Sequence, residues 1–273
     1  MRLIKKIIKK LNSKEKIAIP KYIESSSLLN GKIALITGGT GDIGKAIAKQ
    51  IIQAGGKVII TGTNQKKVEQ TCLRIDSEKC QGVVLDLSDF SSFQECLKSA
   101  LKRFDDCKIQ ILINCAGYNP AKGFFNTTEK DFDMTWNVNV KGTFFFSQVL
   151  ANYMIDNKIK GHILNISSSS ALRPAWSSYE ISKWAIRGFT LGLADLLAPY
   201  GIVVNSLAPG PTATKMQNSS SDSDLDYNTP IGRMATSEEI ASLAIILVSD
   251  FGNLVVGDTL YATGGSGVIS LHK

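Results

Sequence analysis

The sequence predicts an α/β domain, a parallel sheet covered on both faces by helices. Three observations carry this. From Lys32 onward, short apolar runs of strand length alternate steadily with stretches of helical period. A glycine-rich turn joins the first such run to the first helical stretch. The 273 residues, 44% of them hydrophobic, suffice for one large domain with a full core and leave little for a second.

The elements follow in order. Strand Ile33–Thr37 runs through the glycine turn into helical stretch 43–54, and Val58–Thr61 is followed by 66–75. Strand Gly82–Leu85 precedes 90–104, and Gln110–Asn114 precedes 129–156. His162–Ser167 leads to 177–198, Ile202–Leu207 leads to 237–249, and Thr259–Ala262 closes the series. Each apolar run has strand length and each stretch between carries the 3.6-residue period. There is no repeat or low-complexity block. Residues 217–228 form the most polar stretch of the body and read as a mobile loop.

Ahead of this body, residues 2–11 put Leu3, Ile4, Ile7, Ile8 and Leu11 on one helical face and lysines on the other. Lysine pairs interrupt the apolar residues, so this is not a secretory signal. Two readings remain: a helix packed on the body or a partner, or peripheral contact of residues 2–16 with an anionic membrane surface. Pro20 and Ser25–Ser27 mark a connector. The expected organisation is an extension, 1–30, and a domain, 31–273.

Of the net charge of +7, most belongs to the extension, where eight Lys/Arg face two Glu. The body is nearly neutral and lacks the basic and aromatic pattern of a nucleic-acid binder. No apolar run approaches the roughly 20 residues of a membrane span. The five cysteines form no C-x-x-C pair, and His162 and His272 are the two histidines, so no metal site is expected. Reduced, mostly buried thiols fit a cytoplasmic protein.

The turn T-G-G-T-G-D-I-G, residues 37–44, follows a buried strand and opens a helix. In that position backbone N–H groups and a helix N-terminus can meet a pyrophosphate. Gly38, Thr40, Gly41, Ile43 and Gly44 are the candidate contacts. After the second strand the chain reads Thr61-Gly62-Thr63-Asn64-Gln65-Lys66-Lys67, with no carboxylate to bind ribose hydroxyls. Hydroxyls such as that of Thr63 and two lysines would suit a 2′-phosphate, which favours NADP, with NAD as the alternative. Lys66 and Lys67 read equally well as solvated helix residues.

Tyr179 and Lys183, in Y-E-I-S-K, share one helical face. A cation beside a phenol favours the phenolate, turning a poor acid into one able to exchange a proton near neutral pH. The serine run 167–170 lies just upstream.

Together these residues resemble the short-chain dehydrogenase/reductase family, ketoacyl-reductase-like branch, from about Lys32 to Gly267. The motifs come in order: the glycine loop, Asp86 after the third strand, N-C-A-G at 114–117, Asn139 with Ser168 and Y-x-x-x-K, and P-G-P-T-A-T at 209–214. P-I-G-R-M at 230–234 and G-D-T-L-Y-A-T-G-G at 257–265 extend the likeness. The resemblance implies a Rossmann-type doubly wound domain of about seven parallel strands, assembled as a homotetramer or homodimer. It implies that Asp86 meets the adenine with Leu87 beside it, and that Asn114, Ala116 and Gly117 line the cofactor. Pro209, Gly210, Thr212 and Thr214 would hold the nicotinamide end, and Lys183 the ribose, next to Tyr179.

The activity implied is an NADP-preferring carbonyl reductase or alcohol dehydrogenase acting on a small-molecule ketone or secondary alcohol. Tyr179 would exchange the proton, Lys183 would favour its phenolate, Ser168 would bond the substrate oxygen and Asn139 would support a water near Lys183. Tyr118, Phe125, Arg173, Trp176 and Met216 are candidate pocket residues. A thioester, a sugar intermediate or a small ketone all fit. A non-catalytic dinucleotide sensor and an epimerase or dehydratase are the alternatives.

The chain departs from the family pattern in three places. Asp42 stands where a glycine is usual, so the loop resembles the extended branch with Gly41 as middle glycine; Asp42 is expected to cap the helix or to face the pyrophosphate. Ser168 precedes Tyr179 by eleven residues, a short gap that leaves Ser167 and Ser169 as alternatives. Cys115 replaces a common asparagine.

Overall fold

The structure, a computed structural model, describes residues 25–214, 216 and 229–269. The proposed N-terminal helix and the polar stretch 217–228 lie outside the described residues. The strands are β1 (Ile33–Thr37), β2 (Lys57–Gly62), β3 (Cys80–Val84), β4 (Ile109–Asn114), β5 (Gly161–Ile166), β6 (Ile202–Pro209) and β7 (Thr259–Ala262). They form one sheet in the order β3-β2-β1-β4-β5-β6-β7, parallel at every junction.

The helices are α1 (Asp42–Gln53), α2 (Gln65–Ile75), α3 (Phe93–Leu101), α4 (Glu129–Trp136), α5 (Thr143–Asp156), α6 (Ser178–Leu197) and α7 (Ser237–Val248). Alternate strand residues face opposite ways. Ala34, Ile36, Ile60 and Ile113 pack with α1, α2 and α7 on one face. Ile33, Leu35, Ile59 and Leu112 pack with α3, α5 and α6 on the other. Burial on both faces is why each strand reads as an unbroken apolar run.

The winding reverses between β1 and β4, whose last residues Thr37 and Asn114 lie side by side. A crevice opens beyond the carboxyl ends of strands at such a point.

The structure corrects three expected elements. The stretch 129–156 is not one α-helix: a π-helical segment, Asn137–Gly142, separates α4 from α5. Two tertiary contacts account for it. The Asn139 side chain bonds the Tyr118 backbone, and a Cβ on Gly142 would lie 2.4 Å from the Leu87 carbonyl oxygen. The widened turn brings both residues to these neighbours. Stretch 90–104 contracts to α3, preceded by a 3-10 turn, Phe90–Ser92, capped by Asp89.

Third, the end of the connector packs with the body. Ser25–Ser27 form a 3-10 turn, Leu29 is buried in the core, and its N–H donates to the Ala54 carbonyl at 2.8 Å. Among the described residues no helix is long and apolar enough to cross a membrane, and no cluster of His, Cys, Asp or Glu could hold a metal.

Candidate active site

The β1–α1 turn is built for close approach. Gly38 has φ +66°, and a Cβ there would sit 2.6 Å from the Ala116 Cα. A Cβ on Gly44 would sit 2.6 Å from the Gly38 carbonyl oxygen, so α1 starts directly on the turn. The N-cap of α1 is Gly41, with no side-chain capping bond.

Asp42 is therefore not the cap. It is the first helical residue, and its carboxylate accepts from Lys45 Nζ at 3.0 Å. Glycine at the N-cap offers no side-chain oxygen, so orphan N–H groups of the first turn stay available to an anion. The turn thus fits a dinucleotide pyrophosphate.

A continuous cleft runs from this turn to α6. Gly38, Thr40, Gly41, Ile43, Gly44, Gly117, Tyr179, Lys183, Pro209, Gly210, Thr212 and Thr214 line it, as does Ser168. Lys45 and Lys67 line it too. The sequence signal for Lys45 is its spacing, i+3 from Asp42. Lys67 was legible as one of two lysines; Lys66 is absent from the lining. Asn64 caps α2 by accepting from the Lys67 N–H at 2.9 Å, which sets Lys67 in the first turn.

Five expected cofactor contacts do not line the cleft. Thr63 is exposed at the end of β2. Asp86 is exposed and accepts from the Ser88 N–H and hydroxyl at 2.8 and 2.7 Å, closing a turn after β3. Leu87 is buried in the core. Asn114 is buried and donates to Ser147 Oγ at 2.9 Å and Asn165 Oδ1 at 2.8 Å, bracing the ends of β4 and β5. Ala116 backs the turn at Gly38.

The start of α6 is set by a capping box between Ser177 and Glu180. Tyr179 and Lys183 follow one turn apart. Lys183 is buried; its Nζ donates to the Ile166 carbonyl at 3.0 Å and lies 5.4 Å from the Tyr179 ring centre. Asn139 is buried in the π segment, its Oδ1 accepting from the Tyr118 N–H at 2.7 Å. Its Nδ2 donates to the Tyr118 carbonyl and to Ser182 Oγ, both at 3.0 Å.

The three serines part company. Ser167 also lines the main cleft, but it is buried and its hydroxyl is committed to the Lys183 carbonyl at 3.2 Å. Ser169 is buried and does not line the main cleft. Ser168 lines both the main cleft and a neighbouring pocket, as Tyr179 does.

That neighbouring pocket is mostly polar. Arg173, Trp176 and Met216 line it, with Lys122, Glu180 and Asn119. Tyr118 and Phe125 do not line it, and Phe125 is 95% exposed. Burial pushes the Cys115 thiol up to about 12, against a smaller pull from Lys183, so a cleft-lining thiol stays protonated and unreactive.

Comparison with known proteins agrees with this geometry. The family model described as short chain dehydrogenase matches residues 32–225. The L-rhamnose 1-dehydrogenase (NADP(+)) of Thermoplasma acidophilum is 34% identical over 245 residues, covering 86% of this chain and 96% of that protein. A 3-oxoacyl-(acyl-carrier-protein) reductase of Aquifex aeolicus is 32% identical, covering 87% and 98%. Among solved structures, a gluconate 5-dehydrogenase from Burkholderia cenocepacia in complex with NADP and tartrate matches with TM-score 0.81 and 29% identity, covering 91% of this chain and all (100%) of that one.

The chain belongs to the short-chain dehydrogenase/reductase family. It is an NAD(P)-dependent oxidoreductase of the class that interconverts ketones and secondary alcohols.

Proposed function

We propose that the protein is an NADP-preferring carbonyl reductase or alcohol dehydrogenase in which Tyr179 exchanges the proton. When bound, the nicotinamide supplies or accepts the hydride. The carrying observation is that Tyr179, Lys183 and Ser168 share one cleft with the glycine turn.

Tyr179 gives its phenolic proton to the substrate oxygen in reduction and takes it back in oxidation. The buried Lys183 ammonium favours the phenolate left behind. Ser168 donates a hydrogen bond to the same substrate oxygen and stabilises charge there. Asn139 holds the backbone at Tyr118 and keeps the space beside Lys183 open for a water. The turn at Gly38–Gly44 takes the pyrophosphate, while Pro209, Gly210, Thr212 and Thr214 face the nicotinamide end.

NADP preference is supported by the absence of an acid after β2 and by Lys67 in the cleft wall. The NADP named for the Thermoplasma and Burkholderia proteins agrees. A homo-oligomer is supported by apolar surface left on α5 and α6, where Phe144, Leu191 and Leu196 are exposed. The five free thiols support a reducing, cytoplasmic setting. The burial of Leu29 supports confining the detachable extension to residues before Ser25.

Hydride transfer followed by NADPH absorbance across a ketone panel tests the activity. No consumption with any ketone, or equal consumption by Tyr179→Phe, rejects it.

A further inference from the structure

The pocket beside Tyr179 holds three ionic side chains with different states of neutralisation. Lys122 pairs with Asp131 at 2.7 Å. Glu180 accepts from the Trp176 and Ser177 N–H groups and the Ser177 hydroxyl at 2.9, 3.0 and 3.0 Å, which commits it to the start of α6. Arg173 has no carboxylate partner among the described residues. Its Nη2 donates to Ser266 Oγ at 2.5 Å, and its Nε is buried without an acceptor.

Arg173 is also fixed in place. Its N–H donates to the Ser170 carbonyl at 3.3 Å, and its own carbonyl accepts from Trp184 Nε1 at 2.9 Å. Gly267, at φ +80°, crosses the guanidinium so closely that a Cβ there would lie 2.3 Å from Nε. A half-buried guanidinium, held rigid and left without a counter-charge, is costly to keep in a fold. A mobile anion would offset that cost.

Building on the oxidoreductase reading above, we propose that the substrate is a hydroxy or oxo acid whose carboxylate pairs with Arg173 while its reacting carbon lies at Ser168 and Tyr179. With one Nη2 hydrogen committed to Ser266, the terminal nitrogens retain donors for both oxygens of a planar carboxylate. A phosphate dianion fits worse. The pocket offers one unneutralised positive charge, and Glu180 lines the same wall.

The test measures NADP-linked oxidation of matched pairs: lactate and propane-1,2-diol, glycerate and glycerol, 3-hydroxybutyrate and butane-1,3-diol, gluconate and glucitol. For the best pair, kcat/KM should favour the acid by at least about tenfold. Arg173→Met should bring that ratio close to one, and Arg173→Gln should do the same if the Met variant fails to fold. Lys122→Met should change the ratio by less than about threefold, because that charge is already paired at the surface.

A ratio near one in the wild type, no turnover of any of these acids, or an acid preference that survives loss of Arg173 would overturn the assignment. In those cases turnover of neutral ketones or alcohols that is lost in Tyr179→Phe keeps the oxidoreductase reading, so the two failures are told apart.

Discussion

Lys183 Nζ and Asn139 Oδ1 converge on the space above Gly117, lying 3.8 and 3.7 Å from the position a Cβ would take there. Both side chains are buried, and one comes from α6 while the other comes from the π segment. A glycine at 117 leaves room between them. Tyr179 stands one helical turn before Lys183 on the cleft side.

Removing the Tyr179 hydroxyl should therefore stop the chemistry and spare the fold. Tyr179→Phe is expected to lower turnover by at least about 10²-fold. The dissociation constant for NADPH should stay within a few-fold of wild type. Steady-state rates on a slow substrate, with cofactor titration by fluorescence, check both halves. Near wild-type turnover would remove Tyr179 from the role of proton donor.

Cofactor choice should rest on Lys67. Lys67→Met is expected to weaken NADPH about tenfold and to leave NADH nearly unchanged, through loss of one charge-assisted contact. Thr63→Asp should shift preference further toward NADH by placing a carboxylate at the end of β2. Parallel titrations with both cofactors decide the matter. A wild type that binds NADH more tightly contradicts it.

The Asp42–Lys45 pair makes a separable prediction. With the acid partly neutralised by its neighbour, Asp42→Gly should change cofactor affinity only a few-fold. Lys45→Met leaves the carboxylate beside the pyrophosphate turn and should weaken binding several-fold more. The double variant should recover most of that loss, since residues in contact are not additive. Additive losses in the cycle would show that the pair does not act together at the cofactor.

Stability should fall in mild acid because of His162. Burial is the main cause that lowers its pKa from 6.5 to about 4, with Lys32 adding to it; the hydrogen bond with Asn253 and the charge of Asp250 oppose it. The unfolded chain thus takes up the proton before the folded one does. The contribution is complete above pH 6.5 and drains away as pH falls toward 4, by up to about 3 kcal/mol. Urea unfolding at several pH values checks this, and His162→Gln should flatten the slope in that window.

Deleting residues 2–16 should leave a folded, active enzyme. If the basic stripe docks on membranes, sedimentation with anionic liposomes should be strong at low salt and lost at high salt, at roughly 1 kcal/mol per basic residue. No sedimentation at low salt would exclude that role. Unfolding of the truncated protein would place the stripe in the core or in a subunit interface.

Much of the architecture was legible because buried parallel strands leave a plain mark. The runs at Ile33–Thr37 and Thr259–Ala262 match their strands end to end, and the other five differ by a residue or two. The glycine turn was legible for the same local reason. What escaped depends on contacts between distant segments. The π segment answers to Tyr118 and Leu87, far away in sequence. Ser168 separates from Ser167 only when the hydroxyl partners are known, and Ser167 points to a carbonyl of α6. Phe125, a candidate pocket residue, stands out in solvent. Asn114 reads as a cofactor contact from its motif, and only the fold shows that its amide holds two strand ends together.

The π segment has a further consequence. A helix that gains one residue over a single turn shifts the phase of everything beyond it by about 100°. Asn139 can therefore be aimed at Tyr118 and Ser182 while Phe146, Leu150 and Met154 of α5 keep facing the sheet. The Asn139 end and the core end of one continuous rod are tuned independently. Deleting a single residue between 137 and 142 would lock the two settings together, and either the asparagine or the apolar stripe would have to turn away.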